Sequence, residues 1–224
     1  MKRQQAGFTL VEIAIVLIII GLLLGSILKG QEMINQAKIK GVLADFSGIS
    51  AAYYGYQYRY GQIPGDDPNA ATRWTTPLPA TAGNGNGVVE GSYNNDGDPC
   101  VATVEACSWW DHLRRSGFVS GTGSNQPYNK LAGMIGVQTG NAAGGLTLGF
   151  DGAATGGFGG LIVCSANLPE RVAIGVDTHL DDGVPIAGTV RGLLQSSANQ
   201  SPANQATTAY VETGSTQYLV CRAF

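Results

Sequence analysis

With 224 residues, 13% of them charged and a formal charge of -3, the chain has room for one domain with a real core plus an extension. That balance excludes the strong basic excess of a dedicated nucleic-acid binder, so no nucleic-acid partner is expected. The 33 glycines suit a turn-rich domain better than a helical bundle.

The chain opens with a short basic segment, Met1-Lys2-Arg3-Gln4-Gln5-Ala6-Gly7. From Phe8 to Leu28 it is apolar apart from Thr9, Glu12, Ser26 and glycines. At about 1.5 Å per residue this run makes roughly 30 Å of helix, one hydrocarbon thickness. Lys29 ends the span, and Lys2 and Arg3 precede it. The positive-inside bias therefore places the N-terminus in the cytoplasm and exports the chain beyond Lys29. An ordinary secretory signal would have a shorter apolar region and then a small-residue cleavage site, and neither feature is present. A plain anchor would have no reason to carry Glu12, because a charge in lipid costs on the order of 3 kcal/mol or more.

Gly7-Phe8-Thr9-Leu10-Val11-Glu12 resembles the processing motif of type IV prepilins and type II secretion pseudopilins. The resemblance rests on the basic leader, the Gly-Phe junction, the glutamate and the long apolar run occurring together. Motif and helix together cover about the first quarter of the chain. The resemblance implies cleavage between Gly7 and Phe8 by a membrane prepilin peptidase, and methylation of the new Phe8 amine. It implies an inner-membrane assembly platform and a filament of copies or related pilins as further partners. Many members carry proline where this chain has Lys29, which separates it from the best-known major pilins. A free α-amine is positive near neutral pH. A subunit's Phe8 ammonium paired with a neighbour's Glu12 in a low-dielectric bundle would set the register between subunits.

From Lys29 to about Tyr60 there is no proline, and Ile34, Ala37, Leu43 or Ala44, and Phe46 or Ile49 recur at helical spacing. One long helix is predicted, with an apolar first half and an amphipathic second half. Gly21, Gly25 and Gly30 weaken its middle, where stretching is expected in a filament. Tyr53, Tyr54, Tyr56, Tyr58 and Tyr60 read as a helix-to-head seam, rings inward and hydroxyls outward. Spacing alone does not establish an aromatic electron relay.

Gly61 to Pro68 is a breaker cluster, and residues 61 to about 107 are loop-rich. Ser108 to Gly117 reads as a short helix with Ser108 as N-cap, Gly117 as the stop, and Trp109 and Leu113 on one face. Such a tryptophan helix, preceded by PGDD-like and GNGNG-like stretches, is similar to segments of many pilin-like heads.

Beyond residue 131, short apolar runs alternate with glycines. The predicted strands are Leu146 to Phe150, Gly160 to Cys164, Arg171 to Val176, Gly188 to Leu193 and Gln217 to Cys221. The glycine-rich stretch 140 to 160 lacks a GxxxxGK[ST] pattern and reads as turns and bulges. The expected fold is therefore α+β and pilin-like, an antiparallel sheet head on the amphipathic half of the long helix. The expected organisation is a leader 1–7, a helix 8–60 with its transmembrane half 8–28, and an extracytoplasmic head 61–224.

Cys100, Cys107, Cys164 and Cys221 all lie in the exported part, where disulfides form. Of the three possible pairings, Cys100–Cys107 and Cys164–Cys221 are favoured. Zinc is disfavoured because the spacings are not CxxC and there are only two histidines. Calcium is the more plausible metal. Asn84, Asn86, Glu90, Asp96 and Asp98 are weak candidates, although Ala82 stands where a first acidic ligand would be and Asx turns explain the same residues. No cofactor is otherwise expected.

No GxSxG elbow or HExxH pair is present, and His112 and His179 are isolated, so no enzyme is expected. Arg114-Arg115 reads as a solvated helix face beside a packed one. The leading functional expectation is a type IV pilus subunit, major or minor, for adhesion, motility or DNA uptake. A type II secretion pseudopilin is the alternative, and a membrane-tethered binding domain that never polymerises is the third. The expected location is the inner membrane before assembly, then an extracellular pilus or a periplasmic pseudopilus.

Overall fold

A computed structural model describes residue 7 and residues 9–94, 103–140, 157–203 and 206–224. The chain forms two compact units, Met1–Ala37 and Lys38–Phe224. Helix α1, Leu10–Tyr60, contributes to both.

In the first unit α1 is a helix long and apolar enough to cross a membrane. Its side chains from Leu10 to Leu28 are exposed all round. Ser26 satisfies its hydroxyl on the Leu22 carbonyl at 2.8 Å, so it adds no unpaired polar group to the apolar run.

In the second unit the pattern of α1 changes. Ile39, Val42, Phe46, Ile49, Tyr53 and Tyr56 recur every three or four residues and are buried. They form one core with Trp109, Trp110 and Leu113 of α3 (Glu105–Arg115) and with Val172, Ala173 and Val176 of α4 (Glu170–Leu180). A short α2, Ala70–Arg73, precedes α3.

Four strands are present among the described residues: β1 (Ile135–Thr139), β2 (Leu161–Pro169), β3 (Val190–Leu194) and β4 (Gln217–Ala223). They form one antiparallel sheet in the order β1-β2-β4-β3. Val137, Val163 and Val220 face the helices, whereas Ile162, Cys164, Leu219 and Cys221 face a second core with Tyr93, Phe158 and Ala206. This is the period-2 alternation of a sheet buried on both sides. Between Ser165 and Leu168 the register slips, so Ala166 and Asn167 oppose Leu219 alone. Asn167 takes up the extra residue at φ +57°, which returns Leu168 to the helix-facing core.

Both outer strands are covered. The Val89 and Tyr93 amides donate to the Thr139 hydroxyl and the Gln138 side-chain oxygen at 2.8 and 2.9 Å along β1. Along β3, the Gly192 amide donates to the Pro185 carbonyl and the Thr207 amide to the Gly192 carbonyl, both at 2.9 Å. Covered edges do not template further strand pairing.

The elements depart from expectation in four places. Residues Arg171 to Val176 are helical, inside α4, rather than a strand. Val172, Ala173 and Val176 face the core at helical spacing, and Pro169 and Glu170 stand where a helix starts. β1 was not expected, because its Gln138 and Thr139 are polar; both are buried and hold the covering segment. α3 begins at Glu105, not after Ser108, and Ser108 instead donates its hydroxyl within the first turn. Gly117 does end the α3 segment, at φ +82°, with the Phe118 amide returning to the Leu113 carbonyl. Finally, the Tyr56 hydroxyl points inward rather than outward, donating to Asp67 at 2.7 Å, while Tyr54 and Tyr58 are exposed. The expected strand Leu146 to Phe150 lies outside the described residues.

Candidate functional site

The N-terminal segment carries a built feature. The Thr9 amide and hydroxyl both donate to Glu12 Oε2 at 2.8 Å, and the Glu12 amide donates back to Thr9 Oγ1 at 3.3 Å. This reciprocal pair is a capping box, satisfying donors that a helix start leaves open. The Thr-x-x-Glu spacing before an apolar run signals it in the sequence. Gly7, Thr9 and Glu12 are exposed, and Phe8 lies outside the described residues. The Glu12 carboxylate thus sits on the amide directly after Phe8 in the chain.

A second constellation wraps the GNGNG stretch. Asp66 accepts from the Gly85, Asn86 and Gly87 amides at 2.5, 3.1 and 2.7 Å. Gly85 and Gly87 hold φ +75° and +84°, so the loop forms a nest of amides that the Asp66 carboxylate fills. Glu105 accepts from the Asn84 and Glu90 amides at 3.0 and 3.1 Å. Burial pushes the Glu105 carboxyl up against those bonds, and Asp66 and Glu90 add to the rise.

The structure brings Asn84, Asn86 and Glu90 together: both side-chain amides donate to Glu90 Oε1 at 3.1 Å. Their oxygens accept the Asn86 and Val88 amides as Asx turns. Asp96 and Asp98 lie outside the described residues. Among the described residues no group of three His, Cys, Asp or Glu side chains is placed to hold a metal ion.

His112 ties this region to the core. The Gly65 amide donates to its Nδ1 at 2.9 Å and its Nε2 lies 2.8 Å from the Thr81 carbonyl, so the ring is neutral with the proton on Nε2. The ring is fully buried and stacks on Tyr56, 11° from parallel. Burial pushes its pKa down, against the Thr81 bond and the Asp67 and Asp111 charges. Asp67, buried beside it, pairs with Arg73 and accepts from Tyr56. Burial raises the Asp67 carboxyl, but bonds from Tyr56, Arg73 and the Asn69 amide outweigh it and hold it below the usual range. His179 is exposed.

Cys164 and Cys221, paired in register on β2 and β4, form a disulfide with their Cα atoms 4.0 Å apart. Cys107 is disulfide-bonded, and Cys100 lies outside the described residues. Arg115 pairs with Asp111 at 2.6 Å, and Arg114 donates to the Gly123 carbonyl at 2.7 Å.

A family model described as the prokaryotic N-terminal methylation motif matches residues 2–28, and that motif is the hallmark of the precursors of type IV pilins and pseudopilins. No curated protein and no solved structure matches the chain.

Proposed function

We propose that this protein is a structural subunit of a type IV pilus-like filament, assembled from the inner membrane for adhesion, motility or DNA uptake. Residues 1–7 are the leader that a prepilin peptidase removes, 8–60 the anchoring helix, and 61–224 the exported head. The observation that carries this reading is the methylation motif over residues 2–28, continuous with an apolar helix long enough to cross a membrane.

Glu12 gives the motif a mechanism. Cleavage after Gly7 frees the Phe8 amine one residue before Thr9, whose amide Glu12 already holds. In a filament the carboxylate exchanges that neutral partner for the Phe8 ammonium of a neighbouring subunit. Away from water the charged pair outcompetes the neutral bond. Subunits and assembly platform are then the partners, and the role is structural rather than enzymatic.

A type II secretion pseudopilin shares the motif. The Cys164–Cys221 disulfide fits an exported head under either reading, because the periplasm and the cell exterior both sustain disulfides. Sheared surface filaments, examined for this chain by mass spectrometry, separate the two: the pilus reading expects it there, and recovery only from the membrane fraction supports the pseudopilin.

A further inference from the structure

The filament reading gives no role to a cleft of the head. It has a volume of about 370 Å³ and lies along the C-terminal half of α3. Trp74, Pro77 and Leu78 form one wall, Arg114 and Arg115 the other, and the Gly121-Thr122-Gly123 turn closes an end. The size suits a ring-sized molecule.

The two walls differ in chemistry. The first is apolar: Pro77 and Leu78 are exposed, Leu78 at 72%, while Trp74 is partly buried against the core with Arg73 over its ring. The second is cationic and fixed in place. Arg115 pairs with the buried Asp111 and also donates to the Leu78 carbonyl at 2.9 Å, which locks the two walls together. Arg114 donates to a neutral carbonyl, that of Gly123, and forms no ion pair among the described residues. A single carboxylate, Asp111, therefore faces two guanidiniums, and the lining keeps one positive charge. Partial burial of Arg114 disfavours its charge, and a bound anion would relieve that penalty.

We propose that this cleft binds a ring-bearing carboxylate, with the acid group on Arg114 and the ring against Trp74, Pro77 and Leu78. A planar guanidinium matches a carboxylate through parallel hydrogen bonds, and an indole gives a ring a flat apolar surface. An acidic sugar and an aromatic acid share this chemistry.

Calorimetric titration of the full-length chain in detergent tests it, with glucuronate and benzoate as probes and glucose and benzyl alcohol as uncharged matches. Saturable binding of an acid, about tenfold tighter than its uncharged match, is expected. Glucuronate alone identifies a sugar site, and benzoate alone an aromatic-acid site. Arg114→Gln should weaken binding about tenfold. Leu78→Asp, at an exposed position that does not threaten folding, should weaken it comparably by facing the ligand with a like charge. Absence of binding by both acids, equal binding of an uncharged match, or wild-type affinity in Leu78→Asp would overturn the proposal.

Discussion

Glu12 has two jobs that a conservative substitution can separate. It caps α1 through Thr9, and it is proposed to receive a neighbour's Phe8 ammonium. Glutamine closes a capping box as glutamate does, but carries no charge. Glu12→Gln should therefore keep the helix start and still be processed, yet yield few filaments, as Glu12→Ala should. Filament yield and N-terminal mass read both properties; normal filaments from Glu12→Gln would reduce the residue to a cap. The proposed assembly role comes from the sequence alone, where a carboxylate inside an apolar run asks for a partner. The cap is equally written in Thr9-Leu10-Val11-Glu12, as the Thr-x-x-Glu spacing before an apolar run.

Two buried titratable groups in the head oppose each other in acid. His112 is held below its ordinary pKa of 6.5, so the unfolded chain takes that proton first. Its contribution is complete above about 6.5 and is lost as pH falls below it. Asp177, which accepts the Tyr210 hydroxyl at 2.7 Å, is pushed up to about 6 by burial. The folded chain takes that proton first, so stability is gained as pH falls from about 6 toward the unfolded value near 3.8. Asp177→Asn, whose amide oxygen can still accept the Tyr210 hydroxyl without a buried charge, should melt about 2–4 °C higher at pH 7, the effect of about 1 kcal/mol. It should also lose stability more steeply than the wild type between about pH 6.5 and 4, where the Asp177 gain is missing. Thermal melts across that range check both signs. Neither role is written in local sequence, because each depends on partners far along the chain, such as Gly65 and Thr81 for His112.

At the scale of elements, β1 depends on one close approach. A Cβ on Gly136 would collide with the Tyr93 carbonyl oxygen, which is backbone and cannot step aside. Gly136→Ala should cost about 1–3 kcal/mol, measured by denaturant unfolding, by pushing the covering segment off the strand. The same contact explains why β1 was hard to see. A glycine in mid-strand, then buried Gln138 and Thr139, looks like a loop until the segment that those polar groups hold is in place. α4 departs from the sequence expectation for a different reason. Arg171 to Val176 contains valine and isoleucine, and a short window favours a strand; the full run to Leu180, with Val172, Ala173 and Val176 on one side, favours a helix. The long helix was easier, because its apolar period persists over many turns without a proline.

Across the whole molecule, the α+β class and the sheet head emerge from the patterning of a long helix and later short apolar runs. How the sheet protects its edges does not, because that depends on loops meeting strands far along the chain. The Cys164–Cys221 bond joins two central strands across 57 residues of sequence. In the chain-entropy account, Cys164→Ser with Cys221→Ser should cost about 4 kcal/mol, readable as a lower denaturation midpoint. The pilus reading adds that an exported head so stapled should resist unfolding better under oxidising than under reducing conditions.

As a filament subunit the chain would be cut after Gly7, methylated and polymerised. The most direct measurement is mass spectrometry of filaments sheared from the cell surface, reading this protein's N-terminal peptide. A peptide that begins at a methylated Phe8 is expected in the filaments. An uncut Met1 start confined to the membrane, with none of the chain in filaments, would contradict it.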